Sequence, residues 1–390
     1  MSYTVDISWK SLNKYKEELC GDKVEVLDTE DSRILILADG MGSGVKANIL
    51  ATLTSRILGE MLREGARLAD CVETVARTLP VCQERKVAYA TFTILQIHRD
   101  GNVFLAEYEN PACMFIRKGK LERIPFRERI IGEKKIREAQ FPAMPDDCFV
   151  VVSDGVIYAG AGSLLNYGWT WEAASEYALK CAGESLAASR LASRLADACS
   201  DLYEQRPGDD TTVAVARVRK AQFVNILTGP PADSRKDSDM VHTFMEQEGK
   251  KIIAGGATAE MAARILGRKI RTETSSLNRK IPPASVMEGA DLITEGALTL
   301  SAVRKLLQKY EQGEFDTDFF RELDQPLASS RLARILLEEC THLQLYVGTA
   351  VNTAHENQDL PFEISTRKIL VLQLQELMEK MGRSVRIFYY

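Results

Sequence analysis

Two short, strongly apolar runs in the first half of the chain each end in the dipeptide Asp-Gly. Residues 33–38 (RILILA) precede Asp39-Gly40, and residues 148–153 (CFVVVS) precede Asp154-Gly155. Apolar runs of this length that stop at a turn signal are typical of buried β-strands. The chain is therefore expected to fold around buried strands that carry acidic side chains at their ends.

Strand signals dominate the rest of the first half, and only a few helices interrupt them. The sequence predicts hairpins within residues 90–108 and 113–124, helices at 45–63 and 184–203, and a last strand at 211–218. Many consecutive strands with inserted helices favour an α+β fold, a sandwich of antiparallel sheets with flanking helices.

After residue 219 the pattern changes to a regular alternation of short strands and helices. Apolar runs predict strands at residues 223–227, 251–254, 291–294, 343–347 and 384–389. Such alternation requires crossover connections, and therefore a mainly parallel sheet. We expect two domains, residues 1–219 and residues 220–390, the second a Rossmann-like α/β domain with a mainly parallel sheet.

The charge balance limits the partners that the chain could bind. Its 390 residues carry a formal net charge of −5, without a sustained block of Lys and Arg. No nucleic-acid groove or polybasic membrane patch is expected, and no apolar run is long enough to cross a bilayer. The eight cysteines are scattered singly. They fit free thiols in a reducing compartment, so we expect a cytoplasmic protein.

Five aspartates lie beside predicted strand ends, where their carboxylates could converge. They are Asp22, Asp39, Asp154, Asp209 and Asp210. Carboxylates brought together would repel one another, and hard divalent cations such as Mg²⁺ or Mn²⁺ remove that repulsion. Two such ions can activate a shared water for attack on phosphorus. The alternative is that these are ordinary turn residues, since Asp-Gly is a common turn pair.

The segment after Asp39 is rich in glycine. Gly42, Ser43 and Gly44 precede the predicted helix at residues 45–63. Such a loop can turn backbone amides toward a phosphate, although it lacks the GK[ST] ending of a P-loop. A plain strand-to-helix turn is the alternative.

Four sequence motifs follow one another in a specific order. They are GD at 21–22, ADGMGSG at 38–44, VSDG at 152–155 and GDDTTV at 208–213. Together they resemble the catalytic domain of stage II sporulation protein E and its relatives, which are metal-dependent Ser/Thr phosphatases of type 2C. Over residues 5–219, the resemblance implies an α-β-β-α sandwich with two Mn²⁺ or Mg²⁺ ions between the central sheets.

The resemblance also implies a role for each aspartate. Asp22 and Asp39 would hold or bridge the two ions, and Asp154 and Asp209 would complete the ligand set of the second ion; these four are the expected catalytic residues. The Gly40 carbonyl would assist. Asp210 stands where the wider class has Asn, so it would contact a metal ligand rather than the metal itself. Alternatively, Asp210 could be the ligand and Asp209 the residue that contacts it.

The expected substrate is a bacterial regulatory phosphoprotein, and the resemblance suggests an anti-anti-sigma-like protein. A homodimer is also compatible with the sequence.

The residues leave a second hypothesis about function open. The chain could be a pseudophosphatase, a binding protein with a structural metal site. A phosphatase is favoured, because none of the metal aspartates is missing.

Several predicted strands of the second half end in small or polar residues. In a parallel sheet these ends would line one crevice, where ligands usually bind. Gly255 and Gly256 would expose amides before a helix, Thr258 would be its N-cap, and Glu295 would accept hydrogen bonds from a polyol. We therefore expect a small anionic metabolite there, although the glycines could simply close tight turns.

Overall fold

The structure is a computed structural model that describes residues 3–78, 90–131, 134–184, 187–273, 284–350 and 366–390. It divides into two units, Met1–Lys220 and Ala221–Tyr390, which we call unit 1 and unit 2. No helix in the described ranges is long and apolar enough to cross a membrane. All seven described cysteines are free, and Cys82 lies outside the described residues.

Unit 1 contains two antiparallel sheets. Its strands are β1 (Tyr3–Leu12), β2 (Asp22–Asp28), β3 (Ser32–Gly40), β4 (Ala90–His98), β5 (Asn102–Tyr108), β6 (Met114–Arg117), β7 (Lys120–Glu122), β8 (Arg127–Ile131), β9 (Lys134–Pro142), β10 (Cys148–Val152) and β11 (Thr211–Lys220). One sheet has the order β1-β11-β10-β6-β7 and the other the order β2-β3-β4-β5-β9-β8. Its helices are α1 (Gly44–Arg63), α2 (Leu68–Thr78), α3 (Asp154–Ile157), α4 (Trp171–Glu184) and α5 (Ala188–Leu202).

Three apolar clusters hold these layers together. Between the sheets, Leu35 and Leu95 of one sheet pack with Phe149 of the other, and the Phe149 ring stacks on Phe115 at 4.8 Å. The opposite face of the six-stranded sheet packs on α1 and α2, and that of the five-stranded sheet on α4 and α5. Strands buried on both faces read as continuous apolar runs, which is why residues 33–38 were recognisable.

Unit 2 has one seven-stranded sheet, of order β14-β15-β16-β13-β12-β17-β18. Its strands are β12 (Phe223–Thr228), β13 (Lys250–Ala254), β14 (Arg271–Thr272), β15 (Ser285–Met287), β16 (Ala290–Thr294), β17 (His342–Val347) and β18 (Ser384–Tyr389). The helices are α6 (Asp237–Glu246), α7 (Gly256–Leu266), α8 (Ala297–Glu311), α9 (Thr317–Leu323), α10 (Ala328–Arg334) and α11 (Thr366–Lys380). A π-helical turn, Ile335–Glu339, continues α10.

Helices cover both faces of this sheet. Val224 and Ile226 of β12 pack with α8, α10 and α11 on one face. Leu227, the next residue of the same strand, packs with α6 and α7 on the other face. This alternation follows from the two-residue period of a strand. The five longer strands pair in parallel, and the short β14 and β15 extend one edge antiparallel.

The mixed helix and sheet class is confirmed, and several details differ from the prediction. The sequence did not predict β1, β8, β9, α4 or the β14–β15 edge, and α5 begins at Ala188 rather than at residue 184. In β1 the buried Asp6 interrupts the apolar pattern, and its carboxylate accepts a hydrogen bond from the Ala188 amide at 3.2 Å. A long-range partner of this kind leaves no trace in local periodicity.

Candidate metal centre

The pairing of β2 with β3 brings the first two aspartates together. The strands are antiparallel, and their register sets Asp22 directly across from Asp39. Side chains in such positions start about 5 Å apart at their Cβ atoms, and like charges there are destabilising. The register therefore places a repulsive carboxylate pair at the end of the six-stranded sheet.

Two further aspartates come from the five-stranded sheet. Asp154 follows β10 and begins α3, and Asp210 immediately precedes β11. β10 and β11 are paired, and the Ser153 amide continues the pairing by donating to the Thr212 carbonyl at 3.0 Å. Asp154 and Asp210 thus lie at the same end of neighbouring strands.

Two glycines allow the sheets to meet at this point. A Cβ on Gly21, just before β2, would lie 2.7 Å from Oδ2 of Asp210. A Cβ on Gly155 would clash with the backbone carbonyl of Asp210. The missing side chains therefore let the Asp210 segment pack against both Asp22 and Asp154.

The pKa values show how strongly these carboxylates interact. Burial raises the pKa of Asp22 to about 7, and the charges of Asp210 and Asp154 add to the effect. Burial raises the pKa of Asp39 to about 9, with the other four aspartates contributing in the same direction. Burial and the charge of Asp209 also raise the pKa of Asp154. The carboxyls of Asp22, Asp39 and Asp154 thus share a partly buried space with neighbouring acidic groups, whose charges raise their pKa values.

The hydrogen bonding shows whether these residues suit a cation. Both carboxylate oxygens of Asp22 and Oδ2 of Asp210 are buried without a hydrogen-bond partner. Ser153 and Thr212 lie close enough to lower the pKa of Asp22 in part, yet neither donates to its oxygens. Buried acceptors without donors are costly, and a divalent cation is the partner that such oxygens accept. The donor set therefore fits Mn²⁺ or Mg²⁺.

The described side chains do not form a closed coordination shell. No group of three or more His, Cys, Asp or Glu side chains in the described ranges is arranged around a single point. The metal site is therefore a prediction that rests on the unpartnered oxygens and the shared electrostatics.

Asp209 and Asp210 have different surroundings. The Asp209 side chain is 45% exposed and lies 3.7 Å from the ammonium group of Lys14. Asp210 is 5% exposed, and its Oδ1 accepts a hydrogen bond from the Lys14 amide at 3.0 Å. Asp209 is the residue that acts on Asp154, whereas Asp210 acts on Asp22. These surroundings do not decide whether Asp209 or Asp210 would be the direct metal ligand.

The glycine-rich loop contains an acidic neighbour that the sequence did not indicate. Ser43 is the N-cap residue of α1, and its hydroxyl donates to Oε1 of Glu17 at 3.2 Å. Gly44, with a φ of 67°, also lies against the Glu17 carboxylate, while Gly42 faces open space. A phosphate at Gly42, Ser43 and Gly44 would meet the negative charge of Glu17. Phosphate binding by this loop stays a prediction.

Replacing Glu17 by Gln tests that electrostatic effect. We expect KM for a phosphoserine peptide to fall about two- to fivefold, because one negative charge near the anionic substrate is lost, and salt should reduce the change. Glu18→Gln removes the same charge from an exposed neighbour and is expected to leave KM unchanged. Equal KM values for both variants would show that Glu17 does not act on the substrate.

Other residues near the aspartates carry no recognisable sequence signal. Lys14 and Glu17 lie in the β1–β2 connection, which carries no motif, and Tyr203 donates from its hydroxyl to the Gly155 carbonyl at 2.8 Å. No local signal marks any of the three, because each acts through a contact distant in sequence.

The predicted ligand residues of unit 2 lie together but are arranged differently from the prediction. Thr258 is the third residue of α7, and the N-cap residue is Gly255, with a φ of 131°. The prediction of Thr258 as N-cap is therefore wrong. Its hydroxyl oxygen instead accepts a hydrogen bond from the Gly229 amide at 2.8 Å. This long-range contact could not be read from the sequence.

The amides expected to be exposed are also engaged. Gly255 donates to the Thr294 carbonyl at 2.9 Å, and Gly256 donates to the Glu295 carbonyl at 3.0 Å. The carboxylate of Glu295 accepts a hydrogen bond from the Leu298 amide at 3.1 Å, at the start of α8. An anion at this position would therefore meet occupied donors and a negative charge.

Comparisons with known proteins show what the chain is similar to. The sequence profile of the stage II sporulation protein E (SpoIIE) family matches residues 29–219. The match includes Asp39, Asp154, Asp209 and Asp210, and begins after Asp22. No curated protein matches the sequence.

Solved structures resemble part of the chain. The PP2C phosphatase domain of SpoIIE from Bacillus subtilis, with a fragment of its regulatory domain, is 18% identical with a TM-score of 0.48; the alignment covers 56% of this chain and 64% of that one. The RsbU and RsbW domains of a Mycobacterium tuberculosis protein are 17% identical with a TM-score of 0.47, covering 63% and 70%. The catalytic domain of the phosphatase PstP, in complex with two manganese ions, is 17% identical with a TM-score of 0.39, covering 56% and 100%.

These structural similarities are too distant to carry an argument about this chain, and the assignment rests on the sequence profile together with the ordered motifs. The family resemblance inferred from those motifs is confirmed. Residues 29–219 form a domain of the stage II sporulation protein E family.

Proposed function

We propose that the chain hydrolyses phosphoserine and phosphothreonine on a bacterial regulatory phosphoprotein. The observation that carries this proposal is the cluster of five interacting aspartates, in which buried oxygens of Asp22 and Asp210 lack any hydrogen-bond partner. Burying several acidic groups together costs folding free energy unless a cation compensates their charge. In a domain of this family, the cluster would bind the metal ions of a phosphatase.

The chain's own residues would divide the work as follows. Asp22 and Asp39 lie across from each other and would hold or bridge two Mn²⁺ or Mg²⁺ ions, with the Gly40 carbonyl assisting. Asp154, with Asp209 or Asp210, would complete the ligand set from the other sheet. When bound, the ions would lower the pKa of a shared water and direct it at phosphorus. Gly21 and Gly155 would keep the two sheets close enough for this set to form.

The architecture belongs to the same proposal. The helix and sheet layers of unit 1 would be the α-β-β-α sandwich of the phosphatase class, with its boundary near residue 219. Residues 220–390 would be a Rossmann-like domain that senses a ligand or selects a partner. The helices on both faces of the largely parallel sheet support that assignment.

The phosphoprotein substrate would be anti-anti-sigma-like. Support comes from the match of residues 29–219 to the stage II sporulation protein E family. Cytoplasmic location and a homodimer stay predictions.

Phosphate release tests the proposed activity. The full chain, incubated with a phosphoserine peptide, should release phosphate with Mn²⁺ or Mg²⁺ and stop when EDTA is added. Release that is insensitive to EDTA would contradict the two-metal site. Absence of release under every metal condition would favour the second candidate, a pseudophosphatase that uses unit 2 to sense an anionic metabolite. The lack of a closed ligand shell in the described ranges is the observation that keeps this candidate.

Removing unit 2 tests its regulatory role. Residues 1–220 contain their own apolar clusters, so we expect the truncated chain to unfold cooperatively and to keep metal-dependent activity. The rate or the peptide preference should differ from that of the full chain if unit 2 regulates or targets the enzyme. An insoluble truncation beside a stable full chain would contradict the division at Lys220.

A further inference from the structure

Unit 1 contains a cavity of about 700 Å³ whose described lining includes none of the five aspartates. The lining comes from the end of the β5–β6 connection, the β7–β8 connection, β8, β9 and the start of α4. Most of the side chains are apolar; they are Ala112, Cys113, Ile124, Pro125, Phe126 and Trp171. Ligand pockets usually have about this volume and a mainly apolar lining. The cavity is therefore suited to an apolar group.

The charged side chains of the lining do not favour a charged ligand. Arg137 is paired with the buried Glu107, and its Cζ lies 4.6 Å from the centre of the Phe126 ring. The other charged residues are of both signs, Glu122, Arg123 and Glu128. Recognition in this cavity would therefore depend on its apolar surface rather than on net charge.

The β7–β8 connection offers backbone groups beside the cavity. β7 is an edge strand of its sheet, and Ile124 precedes Pro125, which favours an extended backbone. Within the described ranges, the backbone amides of Arg123 and Ile124 have no hydrogen-bond partner. Open strand edges pair with extended peptides, which gain affinity from main-chain hydrogen bonds and specificity from side-chain pockets. An extended peptide is thus the ligand that suits both the unpaired amides and the apolar cavity.

The β5–β6 connection joins the cavity to the candidate metal centre. Thr91 lies across from Asp39 in the pairing of β3 with β4, and its hydroxyl donates to the side-chain carbonyl of Asn110. Two residues further on, the Ala112 carbonyl accepts a hydrogen bond from the indole of Trp171 at 2.7 Å. Two residues span at most about 7 Å. A peptide with its phosphoserine at the aspartates can therefore place a neighbouring side chain in the cavity.

We infer that this cavity binds an apolar side chain of the phosphoprotein substrate, while the substrate backbone pairs with residues 123–125. The inference rests on the phosphatase activity proposed above, and it adds a docking site that selects the substrate. The contacts from Asp39 to Ala112 pass through Thr91 and Asn110. At about 3.3 Å per extended residue, the anchoring side chain should lie about three to six residues from the phosphoserine.

Phosphoserine peptides that differ at one position test this docking site. Each has a polar sequence with a single Phe, three to six residues before or after the phosphoserine, and a reference peptide has no Phe. With Mn²⁺, the full chain should hydrolyse at least one Phe peptide with a kcat/KM about tenfold above the reference or more, mainly through KM. The reason is that burial of the Phe ring favours the bound state.

Two variants show whether the gain comes from the cavity. Pro125→Glu places a carboxylate at the apolar surface, so the ratio of kcat/KM between the Phe peptide and the reference should fall to about one. Gln140→Glu adds the same charge at an exposed position of β9 outside the lining, and the ratio should stay at its wild-type value.

Cross-linking gives a readout that does not require hydrolysis. Each Phe is replaced by photoreactive benzoylphenylalanine in the unphosphorylated peptides, and the full chain is irradiated with them in EDTA. Cross-links are expected in fragments that contain residues 112–126 or Trp171. An excess of the matching Phe peptide should remove them, and an excess of the reference peptide should not.

Several outcomes would overturn the inference. They are equal kcat/KM for all peptides, a gain that survives Pro125→Glu, and cross-links confined to other surfaces. Cross-links that disappear as the protein concentration rises would also overturn it, because a second copy of the chain would then fill the cavity. If Pro125→Glu fails to fold, the wild-type cross-links decide. Cross-links at this cavity without phosphate release from any peptide would contradict the phosphatase activity and support the peptide site, so the two failures are distinguishable.

Discussion

Asp154→Asn is expected to reduce metal-dependent phosphate release by more than about 100-fold, a larger loss than changes behind metal ligands usually cause. In the proposed site the variant would lose one anionic ligand, which Asp22, Asp39 and the Asp209–Asp210 pair would not replace. Without metal, its melting temperature should equal or exceed that of the wild type. The reason is that the substitution removes a partly buried charge that also raises the pKa of Asp22 and Asp39. Activity and metal-free stability thus change in opposite directions.

Asp201→Asn is the matched control. Asp201 is an exposed residue of α5 whose carboxylate accepts a hydrogen bond from Gln205. The same loss of charge there should change neither activity nor metal-free stability appreciably. Wild-type turnover by Asp154→Asn would contradict the two-metal site, and a large loss of metal-free stability would mean that Asp154 serves the fold instead.

Gly155→Ala is expected to have the second largest effect. The added Cβ would clash with the Asp210 carbonyl and crowd the Thr211 hydroxyl, at 2.6 Å. Overpacking against backbone costs about 1–3 kcal/mol of unfolding free energy. Relief of the clash would also separate Asp154 from Asp210, so activity should fall together with stability. Denaturant unfolding and phosphate release measure the two effects.

Gly183→Ala separates this effect from that of a methyl group in general. Gly183 lies in α4, and a Cβ there meets no atom within 4 Å. Alanine in a helix is more favourable than glycine by up to about 1 kcal/mol, so this variant should be as stable as the wild type or more so. A Gly155→Ala variant as stable as Gly183→Ala would show that the close approach at Asp210 is not required.

The sequence predicted those parts of the fold whose signals are local. The strand at β3 and the helix at α1 were recognisable, because a fully apolar run and a helical period each need only a few neighbouring residues. The strand β1 was not, because its pattern mixes buried and exposed residues around Asp6. The antiparallel β14–β15 edge is too short to produce a periodic signal.

The candidate site shows the same limit. The motifs indicated the aspartates, because Asp22, Asp39, Asp154 and Asp209 each stand next to a glycine near a strand end, and Asp210 follows Asp209. They could not indicate Lys14 and Glu17, which reach the site from a connection without a motif. In unit 2, Thr258 bonds to Gly229 and Arg367 bonds to Gly348 across 29 and 19 residues. Such contacts depend on how strands and helices assemble, which no local spacing determines.

Counting the Mn²⁺ ions bound to the full chain tests the central claim most directly, since the aspartate cluster is proposed to hold two. Free Mn²⁺ can be measured by electron paramagnetic resonance while the metal is titrated into the protein. The account predicts two bound ions per wild-type chain, a loss of at least one in Asp154→Asn, and no loss in Asp201→Asn. A wild-type chain that binds no Mn²⁺ at millimolar concentration, or an Asp154→Asn chain that binds two as tightly as the wild type, would contradict it.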